Sequence, residues 1–329
     1  MEHELTWGFP VIWYLFLAGL GAGALVTSCS LLLRGNNRAS YFRYARYGAV
    51  LSLPTVAIGV ALLVLELGSF QSGHWFRWIN LYKTINLSPM SIGSWFLVIY
   101  FLVSAPYVLT FLVPNSHSTD RYARVRTFLA YPCIALGIGV AVYTGILLGA
   151  MPSRPLWNSP ILAMLFLISA ISTGIAAVLL SEWISDKIGT AKWCADKFGW
   201  DKDRDKSDHT DAAYILAATD AIFISFEILV IFLYYMYAHL TVGNVEMAIK
   251  VFEPGGELAG FLWFGVVGLG LLVPLLIESK NILPKLLGRG TYSHSGMMVF
   301  TIPILVIAGG FFLRYVIVIG GQIAKLAGI

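Results

Sequence analysis

Cysteine and histidine are scarce in this chain of 329 residues, which holds three of the first and six of the second. Cys29, Cys133 and Cys194 show no C-x-x-C spacing, so neither an iron–sulfur cluster nor a zinc site is encoded, and no metal ligand set is expected. His3, His74, His117, His209, His239 and His294 all fall in expected loops or at helix ends. A membrane haem needs axial ligands at depth, which excludes haem as well. If such a chain moves electrons, a diffusible carrier must deliver them. Charge is the third scarcity. Charged residues make up 12% against 58% hydrophobic, with a mean hydropathy of +0.76. That leaves too little polar surface for a water-soluble globule, and the chain reads as an integral membrane protein.

Long apolar runs are what the chain has instead. Windows of about 19 residues, set against a hydrocarbon core of ~30 Å, give eight expected spans. They lie at 9–33, 46–70, 92–113, 127–149, 160–182, 212–240, 258–278 and 297–321. Such runs are too long and too evenly apolar for barrel strands, so the expected fold class is all-α with eight transmembrane helices.

The basic residues set an orientation. With an outer N-terminus, sixteen of the 22 Lys and Arg fall on inner connections, Arg34, Arg38, Arg43 and Arg46 on the first of them. Five fall outside, and Arg314 lies within a span. This bias places both termini on the outer (periplasmic) side of a bacterial or archaeal cytoplasmic membrane. The start "MEHELTWGFPVIW" has no basic n-region, so no removable signal is expected. The net charge of +4 follows from the inner loops and calls for no nucleic acid partner.

The longest polar stretch, 183–211, divides the chain into spans one to four (with residues 1–182) and the later spans of 212–329, the helix at 160–182 belonging with the second group. "YLFLAGLGAGA" in the first span and "MLFLISAISTG" in the fifth are faintly alike, as a parallel repeat would be. Gly19, Gly21 and Gly23 follow no strand, so they read as a helix-packing face and not as a nucleotide loop.

An acid in a membrane span costs ~2.5–3.5 kcal/mol on insertion scales, so each one invites a function. Glu66, in "VLELGSF", falls near the outer end of the second span. Trp13, Tyr14 and Tyr143 are expected at the same level, and the following loop adds His74 and Arg77 among tryptophans. A carboxylate, phenols, an imidazole, a guanidinium and indoles together suit a quinone head group. Asp220 and Glu227 lie seven residues apart, about two turns, on one face of the sixth span. Arg314 is expected at the depth of Glu227. The three form either a structural ion pair or a proton path.

Several stretches together resemble the NrfD/PsrC family of polysulfide reductase membrane subunits. They are "YLFLAGLGAGA", "LELG", "SPMSIGSW", "YTGILLGAMPSRPLWNSP", the acids seven apart in the sixth span, and "LRYVIVIGGQ". The resemblance implies two four-helix bundles and a menaquinone-type site in the first. It also implies an iron–sulfur (ferredoxin-like) subunit docked on the outer face, over the loop 71–90, commonly linked to a molybdopterin-type catalytic subunit. By that likeness Glu66 and Tyr143 match the family's quinone-site positions and are the expected catalytic residues. Tyr14 falls where some members carry histidine; a phenol can hydrogen-bond a carbonyl, but with a pKa of ~10 it shuttles protons poorly.

The expected function is therefore a quinone- or quinol-binding subunit of a respiratory oxidoreductase, exchanging electrons with the iron–sulfur partner, with Asp220, Glu227 and Arg314 as the candidate proton path. Two other readings stand beside it. A secondary transporter would use the buried acids as coupling sites and place its substrate at the midplane between the halves. A passive membrane anchor would have no need of Glu66 beyond stability.

Overall fold

The computed structural model describes residues 7–35, 39–67, 79, 83, 88–113, 120–188, 209–288 and 298–324. Every regular element among them is helical. The membrane-length helices are α1 (Phe9–Gly35), α2 (Ala39–Leu67), α3 (Pro89–Leu112), α4 (Asp120–Gly149), α5 (Ile161–Ile188) and α6 (His209–Leu240). A short α7 (Asn244–Ile249) follows, then α8 (Phe261–Leu286) and α9 (Met298–Ile323). Eight of these are long and apolar enough to cross a membrane, as expected from the hydropathy of the chain.

Local chemistry explains several boundaries. Ser88 accepts from the Ser91 amide ahead of Pro89, so α3 starts with a capped first turn and a proline where no amide is needed. Gly243, at a φ of 95°, turns the chain from α6 into α7. α8 is wound as a π-helix over Phe261–Leu272 and tightens to an α-helix from Val273. Pro274 has no amide to return to the preceding turn, which removes an α-type bond at this junction. The expected seventh span ended at residue 278, where Glu278 reads as a polar boundary. The helix instead runs to Leu286 with Glu278 buried inside it.

α1 and α5 are the central pair, and most of both is buried. α1 packs on α2, α4 and α5, and α3 lies against α2 and α4. α5 packs on α6 and α9, and α8 lies against α6 and α9. Small residues allow the closest approaches. A side chain at Gly23 would overlap the Ala170 carbonyl of α5, and one at Gly174 would overlap the backbone of Gly23. Gly21 meets Thr55 and Val56 of α2, and Gly270 of α8 faces Gly309 of α9. Without water between them, membrane helices associate through such close packing, so these contacts hold the fold together.

Antiparallel neighbours define two ends. At one, Arg43 pairs with Glu182 at 3.0 Å, Tyr47 donates to Ser185 at 2.9 Å, and Lys285 pairs with Asp211 at 2.6 Å. At the other, the linker between α4 and α5 is pinned from several sides. Trp157 donates to the Ile317 carbonyl at 2.8 Å, Tyr234 donates to the Leu156 carbonyl at 2.6 Å, and Arg154 donates to the Gln322 carbonyl at 3.0 Å. Gly321 lacks a side chain where the Trp157 indole lies.

Candidate functional site

The end that carries the α4–α5 linker also carries Glu66. Two successive amides at the start of α1 are held there by side chains from distant helices. Trp7 N–H donates to Gln322 Oε1 of α9 at 3.0 Å, and Gly8 N–H donates to Glu66 Oε1 of α2 at 3.2 Å. The carboxylate thus sits at a helix N-terminus, where unpaired amides and the aligned peptide dipoles favour negative charge. Glu66 itself is exposed, and its second oxygen has no hydrogen bond among the described residues.

Tyr143 of α4 is half-buried at the same end, its ring and hydroxyl lying over Gly93 of α3. A Cβ at residue 93 would fall where the phenol lies, so a larger residue there must displace the Tyr143 ring. Tyr14 is fully buried on the seam with α2, which approaches its backbone at Gly59. Trp13 turns the other way, into an aromatic cluster with Phe9, Phe16 and Phe311. The expected site residues His74 and Arg77 lie outside the described residues.

A second set of polar groups is buried between α5, α6, α8 and α9. Ser172 donates to Asp220 Oδ1 at 2.7 Å. Arg314, with none of its surface exposed, donates to Ser169 Oγ and to the Gly310 carbonyl. Its guanidinium lies 5.2 Å from the Phe166 ring centroid. Glu227 faces both Ser169 and Arg314, so the serine hydroxyl stands beside acid and base in place of a direct ion pair. Sequence reading missed Glu278, which is buried on α8, faces Asp220, and has an oxygen without a partner among the described residues. Its signal was an acid followed by Lys280, which mimics the end of a span. It also missed Ser169 and Ser172, which hydropathy cannot tell from helix-packing residues.

Buried acids this deep are found where a protein handles ions or protons, or where they are locked in structural pairs. The arrangement here offers three carboxylates, two hydroxyls and one guanidinium in succession through the second half of the protein. The Glu66 end offers something different, an exposed carboxylate and a phenol near helix termini. The family described as "Polysulphide reductase, NrfD" matches residues 1–194 and 200–326. The chain belongs to the NrfD family.

Among its relatives is the C subunit of the polysulfide reductase of Wolinella succinogenes, 30% identical over 97% of this protein and 95% of the relative. Protein NrfD of Escherichia coli K12 is 26% identical over 84% of this protein and 85% of its own length. A more distant relative is the Hdr-like menaquinol oxidoreductase integral membrane subunit of Archaeoglobus fulgidus, 21% identical over 56% of this protein and 44% of its own length. With the eight apolar helices, membership of the NrfD family makes this a multi-pass membrane protein. Two of the stretches that carried the resemblance now have structural work assigned. "PSRPLWNSP" supplies Arg154 and Trp157, and "LRYVIVIGGQ" supplies Arg314, Gly321 and Gln322.

Proposed function

We propose that this protein is the quinol-handling membrane subunit of a multi-subunit respiratory oxidoreductase. In this reading α1–α4 and α5, α6, α8 and α9 form two four-helix bundles, the quinone head group binds in the first, and both termini face the periplasm. The observation that carries it is Glu66. Its carboxylate is tethered by one amide at a helix terminus, yet exposed, at the end where Tyr143 also lies. The relatives' names support the class of partner. One is a reductase subunit and another a menaquinol oxidoreductase subunit.

The quinol is a substrate and brings the redox chemistry. Oxidation of one quinol releases two electrons and two protons, and this protein's residues serve the protons and the positioning. The Glu66 oxygen that does not hold the Gly8 amide accepts one proton from a quinol hydroxyl, the second proton passes to solvent, and both leave on the periplasmic side. The Tyr143 hydroxyl donates to the quinone carbonyl, and Gly93 behind it leaves the phenol room. Tyr14, His74 and Arg77 complete the proposed wall, while Trp13 lies in the cluster with Phe9, Phe16 and Phe311. The electrons pass to an iron–sulfur subunit docked over loop 71–90. Asp220, Glu227 and Arg314, with Glu278 added from the structure, provide a proton route through the second bundle.

A fluorescent quinol-site inhibitor titrated against wild type and Glu66→Gln tests this. Saturable quenching that weakens in the variant at equal protein level is the expected result. Equal binding by both proteins would leave Glu66 a helix cap and favour a passive anchor. Uptake of a solute into vesicles by this protein alone would favour transport.

A further inference from the structure

Away from both sets of residues, a cavity of about 230 Å³ opens between α1, α5 and α6. Helix packing explains its position. α1 and α5 touch at Gly23, Ala170 and Gly174, and beyond that crossing α5 is drawn toward α2 by Arg43–Glu182 and Tyr47–Ser185. The space left between the last turns of α1 and the first half of α6 is the cavity. Val26, Ile171, Ile175, Ile215, Leu216 and Phe223 make its walls. Ser30 and Arg34, both exposed, stand at its mouth.

Its lining is mostly carbon, with the Thr27 and Thr219 side chains among it, so a mainly apolar occupant suits it better than a polar solute. Along α1 its lining runs from Val26 to Arg34, eight residues or ~12 Å of helix. Arg34 lies in the last turn of α1, and among the described residues no acid pairs with it. A mostly apolar cleft with a cation at its open end suits an acyl chain inside and a phosphate outside. Basic pockets between membrane helices on the cytoplasmic side are known to bind anionic lipid head groups.

We infer that the cleft between α1, α5 and α6 is a binding site for an anionic phospholipid, its phosphate on Arg34 and one acyl chain along Ile171, Ile175, Ile215 and Phe223. The lipid fills the wedge between the two halves, where side chains alone leave a gap. Binding does not depend on the quinol reading.

The test uses the full-length protein in mild detergent, with native mass spectrometry against phosphatidylglycerol and phosphatidylcholine. Wild type is expected to retain phosphatidylglycerol at least fivefold more than phosphatidylcholine. Arg34→Gln is expected to abolish that preference, while Lys280→Gln, a basic residue at the same end, leaves it unchanged. Ile175→Trp, which fills the slot, is expected to reduce retention of both lipids, and its melting temperature shows whether it folds. Equal retention of the two lipids by wild type, or an Arg34→Gln protein that keeps the preference, would overturn the assignment. So would displacement of the bound lipid by added menaquinone, which would make the slot a site for a quinone tail.

Discussion

Trp7 and Gln322, 315 residues apart, exchange two hydrogen bonds. The Trp7 amide donates to Oε1 at 3.0 Å, and Nε2 donates to the Trp7 carbonyl at 3.1 Å. One side-chain amide thus satisfies both polar groups of a backbone unit just before α1, and ties the first helix to the last. Trp7 also packs against Trp157, the two rings tilted by 32° with centroids 5.1 Å apart, so three separated segments close over one end of the molecule.

Gln322→Leu removes both bonds and leaves a partly buried peptide unit unpaired, which costs ~1–3 kcal/mol. The melting temperature of the purified protein should fall by several degrees. Gln322→Glu sets a carboxylate oxygen against the Trp7 and Val318 carbonyls, so its loss should be at least as large. A melting temperature unchanged in Gln322→Leu would show that the clasp does not contribute to stability.

In the proposed reading Glu66 has two separable duties. Glu66→Gln keeps an oxygen for the Gly8 amide but can neither hold a charge nor exchange a proton, whereas Glu66→Leu removes the acceptor as well. Quinol oxidation should fall at least tenfold in both. Stability should drop only in Glu66→Leu, by ~1 kcal/mol for the lost hydrogen bond. Full activity in Glu66→Gln would remove Glu66 from the chemistry.

At the α1–α5 crossing, Gly23→Val sets a branched side chain where the Ala170 carbonyl already lies. Backbone cannot give way as a flexible side chain can, so the helices must separate. The expected loss is ~1–3 kcal/mol or more, with a lower yield of folded protein in the membrane. Gly260→Ala is the control, since nothing lies within 4 Å of its added carbon. Equal yields for the two variants would contradict close packing at Gly23.

Asp220→Asn keeps an acceptor for Ser172, and Glu278→Gln replaces an acid with an unpartnered oxygen among the described residues, so both should fold. If these acids carry protons, quinol turnover in detergent should stay near wild type while proton movement in sealed vesicles falls severalfold. A pH-sensitive dye trapped inside reads the difference. An unchanged gradient in both variants would make the cluster structural.

Arg314→Leu tests the same cluster from the other side. It would leave Glu227 facing the Ser169 hydroxyl without the cation. Removing one partner from a buried charged group costs ~3–5 kcal/mol, so the variant should be poorly stable. Restoring the melting temperature with Glu227→Gln in the same protein would show that the two charges balance each other. An Arg314→Leu protein as stable as wild type would show the opposite.

Hydropathy and residue type alone impose much of this architecture. Eight spans follow from run length, because backbone in lipid must bond within its own helix. The packing role of Gly21 and Gly23 follows from where they sit in an apolar span. Glu66, Asp220, Glu227 and Arg314 stood out because charge is costly in that solvent. Tertiary structure decided which groups meet. Only the packing of α8 on α6 reveals that Glu278 belongs with Asp220, since in the sequence it reads as the edge of a span. Only the approach of α5 to α9 shows Ser169, and no direct carboxylate, taking the Arg314 hydrogen bond. The clasp of Trp7, Trp157 and Gln322 was invisible for the same reason. Hydrogen bonds between residues hundreds of positions apart depend on how helices are arranged, and apolar periodicity says only that they are helices.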